Sequence, residues 1–511
     1  MVGESAVRIQ KGKNMNTYAS IRSGLLLLLA TAWLADSSIS VAQQRPMATA
    51  IPSGTTHAKV PNDFLGLSWE WGSIQKALGQ DPANSAALNL IKNLTSHGAA
   101  LQIRVGGNTT DLSSNVQDIE PLVKLASEAN VRFTLGVNLK TAGPNSRQAQ
   151  ASAYARGIPN GKLDSLEIGN EPNGYPGASS ESSFDSQYLQ VMKATRDLSP
   201  KLDFSGPSCS IFVGEHFLCD GPQFQSSGFN LDHFIQTTKP LGLLTLTAHY
   251  YYAEGGKCAV DCLLQPEAYT GAHAAPVLMG PLETLAHRNG IKFRINEFNS
   301  LWKGGQHGVS DSFQSALWFI GTAMSLASQG VDGINVHGNY LAGGSYYDPF
   351  FILPSGSSNK PNTLERAAPL YYGMLFFSVA TQNNVVLRPM SLKSAVACTT
   401  QTAWTGCLQA WQTVDSSNVE RDVILNLDLK NFGNIAIPNA AHVASVCYLD
   451  APSYDAQSNV SFSGQTLDNS PDGTLRGQLQ SKTVMPTNGV FYIPMKPTEG
   501  AIVRFGSTGG C

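Results

Sequence analysis

Ser165-Leu-Glu-Ile-Gly-Asn-Glu-Pro-Asn173 is a short β-rich run that ends in a carboxylate, Glu171. Lys292-Phe-Arg-Ile-Asn-Glu-Phe-Asn299 repeats the arrangement and ends in Glu297. A carboxylate contributes little to a strand and is poorly placed at its end unless chemistry uses it. Six further runs of the same kind alternate with helical stretches: Phe64–Trp71, Ala100–Gly107, Val131–Leu139, Leu202–Ser208, Leu244–Tyr252 and Gly333–Tyr340. Eight β–α alternations predict a (β/α)8 TIM barrel, an α/β fold, over an open doubly wound sheet. The intervening segments carry helical periodicity, with Phe184, Tyr188, Val191, Met192 and Thr195 on one face and Phe313, Ala316, Leu317, Ile320 and Met324 on another. Asn84 and Asp311 read as helix-start residues.

Outward from the barrel the pattern changes near residue 386. Val385–Leu387, Ala395–Thr399, Ala410–Val414, Asp422–Leu429, Ala441–Leu449 and Val490–Pro494 read as strands between Asn, Gly, Ser and Pro turns. The expected organisation is a barrel over 60–385 and a C-terminal all-β sandwich over 386–511, with 43–59 supplying an N-terminal strand to the β domain. Residues 1–42 read as a signal peptide: Arg8, Lys11, Lys13 and Arg22 precede the apolar run Leu25–Leu34, and Ser40-Val-Ala42 fits the cleavage rule. That run is shorter than the roughly 20 residues a membrane span needs. A secreted or periplasmic protein with no membrane attachment after cleavage is expected.

Eight cysteines agree with export. Neighbouring positions suggest the pairs Cys209–Cys219, Cys258–Cys262, Cys398–Cys407 and Cys447–Cys511, one choice among about 105 connectivities. No His/Cys pair accompanies Cys258 and Cys262, so no metal is expected, and no pattern points to an organic cofactor. Gly106-Gly107 is not followed by the residues of a nucleotide loop. With 14% charged residues and a net charge of −3, the chain has no basic footprint for nucleic acid or a long polyanion. The sequence leaves the oligomeric state open.

Catalytic groups of such barrels gather at the C-terminal ends of the strands. Those positions hold Glu70, Arg104 with Asn108, Asn138, Asn170 with Glu171, His249 with Tyr250, Asn296 with Glu297, and His337. A single polar residue there is ordinarily a surface loop residue; their alignment on one side of all the strands argues for a site. Two carboxylates in such a place suit glycosidic bond cleavage, one giving a proton and one attacking the sugar.

Asn170-Glu171-Pro172 and the carboxylate ending strand seven resemble the retaining glycosidase clan. The ordered set Phe64-Leu-Gly-Leu-Ser68, Arg104-Val-Gly-Gly-Asn-Thr-Thr-Asp111, Glu167 to Asn173, His249-Tyr-Tyr251, Glu297-Phe-Asn-Ser300 through Gly308-Val-Ser-Asp311 to Trp318, Val331-Asp-Gly333, His337-Gly338 and Leu370 to Met374 resembles glycoside hydrolase family 79, which includes β-glucuronidases and heparanases. The resemblance spans roughly residues 60–380. It implies Glu171 as general acid/base, Glu297 as nucleophile, Asn170 on the sugar 2-hydroxyl and Tyr250 donating to Glu297. It implies Glu70 and Asn108 on glycone hydroxyls, with Tyr347 and Tyr340 reading a glucuronate carboxylate from the loop after strand eight. Where the family commonly has Tyr, five residues after the nucleophile, this chain has Trp302, which can donate but not accept; it either walls the pocket or simply packs.

The resulting expectation is an exo-acting retaining β-glucuronidase, acting on a carbohydrate glucuronide that is 4-O-methylated or not. Its rivals are a neutral-sugar β-glycosidase, xylanase or arabinofuranosidase of the same clan, an endo-acting heparanase-like enzyme, and an inactive carbohydrate-binding barrel. The absence of basic clusters argues against the endo-acting form.

Overall fold

The computed structural model describes residues 46–53, 57–79, 85–172, 175, 181–198, 201–212, 230–357, 360–383, 385–394 and 407–511. Eight parallel strands close into a barrel: Leu65–Glu70, Leu101–Gly106, Val131–Val137, Leu163–Ile168, Phe204–Phe212, Leu243–Glu254, Lys292–Trp302 and Gly333–Gly338. Closure is made where Ile334 pairs with Leu65 and Val336 with Leu67. Each strand alternates with period two, and both faces are buried. Leu101, Ile103 and Val105, like Phe133 and Leu135, are apolar and fully covered. The alternate positions are polar and equally covered: Gln102, Arg104, Thr134, Ser165, Glu167, Ser205, Thr247, His249, Arg294, Asn296 and Asn335.

These alternate residues meet one another inside the barrel. Gln102 Nε2 donates to Thr134 Oγ1 at 2.5 Å, and hydroxyl contacts of 3.0 Å continue from Thr134 to Ser165 and from Ser165 to Ser205. Arg294 Nε donates to Asn335 Oδ1 at 2.6 Å, and Asn335 Nδ2 donates to Gln102 Oε1. Barrels of this kind are ordinarily filled by branched apolar side chains. Here hydrogen bonding takes that role, which satisfies groups that would otherwise cost free energy on burial. Gly66 belongs to this layer, because a Cβ there would collide with the Asn335 amide.

The helix Glu181–Leu198 buries Phe184, Tyr188, Val191, Met192 and Thr195, the face read from the sequence. The expected cap at Asn84 lies outside the described residues, and Ser85 caps the helix Ala86–Thr95 by accepting from Ala87 N–H. Asp311 does not open the helix Phe313–Gln329. Its carboxylate is taken by Gly308 N–H at 2.6 Å, and the first helical N–H groups of Phe313 and Gln314 donate to Ala456 and Tyr454 carbonyls of the β domain. A neighbouring helix, Pro369–Ala380, is buried along its whole length. Phe377 meets Phe64 of the barrel at 5.2 Å between ring centroids, and Phe376 meets Phe462 of the β domain at 5.6 Å.

The β domain is one hydrogen-bonded path folded on itself. Val386–Ser394 pairs through its first half with Leu408–Val414 and through its second half with Ala48–Pro52. Ala48–Pro52 also pairs with Gly433–Pro438, so the N-terminal strand sits inside the sheet rather than at its edge. The path continues through Glu420–Asn426, Glu499–Phe505 and Ala444–Asp450 on one side and Val490–Met495 on the other. Phe491 and Phe505 pack edge to face at 5.3 Å across the two layers. Gly433–Pro438 and Glu499–Phe505 are strands that the turn pattern did not single out; the expected run Ala395–Thr399 lies outside the described residues.

Disulfides join Cys258 to Cys262 and Cys447 to Cys511. Cys407 is also disulfide-bonded, its partner lying outside the described residues. The expected Cys209–Cys219 pair is corrected: Cys209 is a free thiol, fully buried on the fifth barrel strand. The expected leader lies outside the described residues, and among them no helix is long and apolar enough to cross a membrane. Cys447–Cys511 closes a long loop and ties the last residue of the chain to a central strand. Replacing both cysteines by alanine should lower the stability of the β domain by about 2–4 kcal/mol, read as an earlier midpoint in urea unfolding.

Candidate active site

The C-terminal ends of the strands converge on Arg104, which is completely buried. Its Nε and Nη2 donate to Glu167 Oε1 at 3.0 and 2.6 Å. Nη1 donates to Ser68 Oγ at 3.0 Å and to Glu297 Oε2 at 2.7 Å, and Nη2 reaches Asn170 Oδ1 at 2.8 Å. Glu167 also accepts from Asn296 Nδ2, so both of its oxygens are hydrogen-bonded, one of them to the cation. Burial works against the charged guanidinium, but Glu167 and Glu297 outweigh it and raise its pKa further above its ordinary value.

Glu297 carries the same logic with opposite sign. Burial alone would push its carboxyl up; His337, His249, Arg104 and a hydrogen bond from Tyr251 instead hold it well below the usual carboxylate range. Tyr251 OH donates to Glu297 Oε1 at 2.8 Å. This corrects the expectation for Tyr250, whose hydroxyl donates to the His273 carbonyl at 2.8 Å and whose ring stacks on Phe298 outside the barrel. The pleat explains the difference. His249 points inward, so Tyr251, two residues on, does so as well, and Tyr250 points away.

Glu171 lies on the other side of His249, whose Nδ1 is 2.9 Å from Glu171 Oε1. His249 Nε2 is 3.3 Å from Arg104 Nη2. A guanidinium cannot accept, so whenever the ring is neutral its hydrogen belongs on Nδ1, directed at Glu171, rather than on Nε2. An oxygen of Glu171 and one of Glu297 lie within 4.8 Å of each other. Their exposures differ: the Glu171 side chain is 21% exposed and that of Glu297 10%. Glu171 can therefore trade protons with water more readily than Glu297.

Glu171, His249 and Glu297 are the one trio among the described residues whose ligand atoms could converge on a cation. The fit is poor. Arg104 already occupies a position 2.7 Å from Glu297, and both ring nitrogens of His249 are engaged.

The remaining predicted residues divide. Asn170 is buried with its Oδ1 taken by Arg104, which turns its Nδ2 toward the site. Glu70 accepts from the backbone N–H groups of Asn108 and Thr109 at 3.0 and 2.8 Å and lies 3.8 Å from His337. Asn108 itself is exposed at the start of the 3-10 helix Asn108–Leu112. Tyr347 faces the pair, with ring centroids 5.9 Å from Tyr251 and 6.3 Å from His337. Asp348 anchors its loop by accepting from the N–H groups of Tyr340, Asn339 and Ser345; burial pushes this carboxyl up to about 7 despite those bonds.

Tyr340 does not line the site. It is fully buried, donates to the Val336 carbonyl and packs 4.4 Å from Trp69 and 4.8 Å from Phe350. Trp302 ends the seventh strand at the rim, half-buried, with the Lys303 ammonium 4.4 Å from its ring centroid. The sequence marks Arg104, His249 and His337 only as polar strand ends and gives Glu167, Ser68 and Tyr251 no functional role of their own. The period-two alternation is the signal for both: Tyr251 lies two residues beyond His249, and Ser68 two residues before Glu70.

No family model matches the chain. It is similar to a β-glucuronidase of Aspergillus niger, 23% identical over 384 residues that cover 66% of this chain and 67% of that protein. Among solved structures it resembles a 4-O-α-L-rhamnosyl-β-D-glucuronidase from Fusarium oxysporum, with a TM-score of 0.68, 16% identity, and coverage of 90% of this chain and 99% of that one. A family 51 α-L-arabinofuranosidase from Bifidobacterium longum follows at a TM-score of 0.63 and 14% identity, covering 90% of this chain and 100% of that one.

Arg104→Ala would leave Glu167 and Glu297 as buried carboxylates without their cation. The variant should lose about 3–5 kcal/mol of stability at neutral pH. Because Glu297 titrates below its unfolded value, its charge contributes stability above the ordinary carboxylate range, and that contribution is lost as the pH falls through the lowered value. In the variant the unpaired carboxylates take up protons earlier, so the gap from wild type should narrow between pH 7 and about pH 4 in urea titrations. At these identities the likenesses to the solved structures are likenesses of fold: a barrel with an accompanying β domain.

Proposed function

We propose that the chain is an exo-acting, retaining β-glucuronidase of the kind found in glycoside hydrolase family 79, secreted or periplasmic. The observation that carries the proposal is the close approach of Glu171 and Glu297, each in a different environment. Retaining enzymes place the two carboxyl groups about 5–5.5 Å apart, whereas inverting ones need about 6.5–9.5 Å to seat a water. Glu297, held ionised by Arg104 and Tyr251, attacks the anomeric carbon. Glu171 gives its proton to the leaving oxygen as the glycosidic bond breaks, leaving a glycosyl ester on Glu297. Glu171, now ionised, takes a proton from water, which attacks the anomeric carbon, breaks the ester to Glu297 and frees its carboxylate, and returns the sugar with its configuration retained.

Asn170 serves the 2-hydroxyl. With its oxygen committed to Arg104, only its amide N–H groups are left to donate, and this contact strengthens as the ring approaches the oxocarbenium-like transition state. Glu70 and His337 face the glycone hydroxyls across the pocket. Tyr347 and the backbone of its loop receive the uronate carboxylate, and Trp302 walls the rim. The relatives named as glucuronidases support the uronate over a neutral sugar.

The first test is hydrolysis of aryl β-glucuronide, β-glucoside, β-xyloside and α-arabinofuranoside side by side. The glucuronide should be preferred by orders of magnitude, and Glu297→Ala should lose about 10⁴-fold or more in kcat. Preference for a neutral sugar would keep the two carboxylates in their roles and remove the uronate pocket. No turnover by wild type would reject the enzyme reading for these substrates.

Two adjacent tyrosines give a sharper check. Loss of a hydrogen bond to a charged group costs about 1.5–3 kcal/mol, so Tyr251→Phe should lower kcat by about tenfold to a hundredfold. Tyr250→Phe, which faces away from the site, should leave kcat near wild type. The reverse ranking in steady-state kinetics would overturn the placement of Glu297's donor.

A further inference from the structure

We infer that Asp111 and Tyr175 form a positioning pair that sets the turn carrying Glu171, an inference that rests on the reading of Glu171 as acid/base. Tyr175 OH donates to Asp111 Oδ1 at 2.7 Å and accepts from the backbone N–H of Asn170 at 2.9 Å. A phenol has one hydrogen to give. Asp111 takes it, which leaves the oxygen lone pairs directed at the peptide immediately before Glu171.

That peptide needs holding. Glu171 has φ of 47°, in the left-handed region where a residue with a side chain is strained. Gly169, two residues earlier, has φ of 86°, and a Cβ there would stand 3.1 Å from the Tyr175 hydroxyl. The turn is thus shaped around the phenol. Its other restraints include Gly169 N–H donating to the Val137 carbonyl at 2.8 Å, Glu171 N–H donating to the Ser208 carbonyl at 3.1 Å, Arg104 on the Asn170 side chain, and the His249 contact on the carboxylate. Among the described residues, the phenol is the group that bonds Asn170's backbone N–H.

Asp111 is itself fixed. It lies on the short 3-10 helix Asn108–Leu112, whose first N–H groups are held by Glu70. Thr141 Oγ1 donates to the Asp111 carbonyl at 2.7 Å. Glu70 on the first strand is therefore linked to the acid/base turn after the fourth strand by way of Asp111 and Tyr175. Lys140 lies on the outer side, its ammonium 5.3 Å from the Tyr175 ring centroid. Neither Asp111 nor Tyr175 has a part in the chemistry described above, yet both are placed to set where Glu171 delivers its proton.

The test uses leaving groups. For whichever sugar wild type prefers, kcat/KM is measured on a 2,4-dinitrophenyl glycoside, which leaves without protonation, and on a methyl glycoside, which requires it. A displacement of about 1 Å in a reacting group can cost about a hundredfold. Tyr175→Phe and Asp111→Leu should therefore lose about tenfold to a hundredfold on the methyl glycoside and far less on the dinitrophenyl one. Asp111→Asn, which keeps an oxygen acceptor for the phenol, should lose less than Asp111→Leu. Equal losses on both substrates, or none on either, would overturn the pair's role while leaving Glu171 as acid/base. If wild type turned over neither glycoside, the acid/base reading of Glu171 and this inference would fall together.

Discussion

One buried guanidinium organises the site. Arg104 brings its five N–H groups to Glu167 (twice), Ser68, Glu297 and Asn170, with His249 alongside at 3.3 Å, and the guanidinium itself is sealed from solvent. Lysine could not replace it, because a single ammonium cannot serve groups arranged around a plane. Each contact has a separate chemical effect. The one to Glu297 keeps the carboxylate charged, that to Asn170 fixes which amide end faces the substrate, and that to His249 fixes the tautomer opposite Glu171. Burying an ion pair is expensive unless the geometry is complete. Here the completeness lies in Glu167, which carries the compensating charge from beneath without touching the pocket.

The barrel interior extends this constraint downward. A cavity of about 250 Å³ opens at the N-terminal ends of the strands and is lined by Asp63, Arg132, Asp164, Asp203, Lys292 and Arg294 among others. Asn296 lines this cavity and donates to Glu167 and to Ser208, which in turn meets Thr247, so hydrogen bonds run from the floor of the site into the polar base of the barrel. Such a network is rigid when satisfied and costly when broken. An apolar barrel would have offered Glu167 no partner, and Arg104 no counter-charge.

Much of this was legible from the sequence, for identifiable reasons. Strands buried on both faces leave long β-rich runs, and all eight barrel strands were visible as such. Glu171 and Glu297 stood out because a carboxylate at a strand end is out of place without a use. Tyr250 and Tyr251 were separated by a feature smaller than any motif, the pleat of a single strand. Tyr340 was misplaced because its positive φ of 59° folds the ring back under Trp69, a reversal that side-chain type does not announce. Cys209 looked pairable by proximity in sequence, yet a barrel strand buries it. Asp111 and Tyr175 come together only when two loops from different strands close over Gly169, so no local pattern could have joined them.

The N-terminal strand has a consequence for how the molecule is made. Ala48–Pro52 lies between Val386–Ser394 and Gly433–Pro438, segments from the far end of the chain. As the polypeptide emerges from its N-terminus, this strand has no partner until the entire barrel has been synthesised. Its edges stay open to wrong pairing throughout that interval. Severing the backbone between barrel and β domain would not free the two halves either, since the first strand would still thread one into the other. The sheet can therefore be completed only once its C-terminal strands exist to receive Ala48–Pro52.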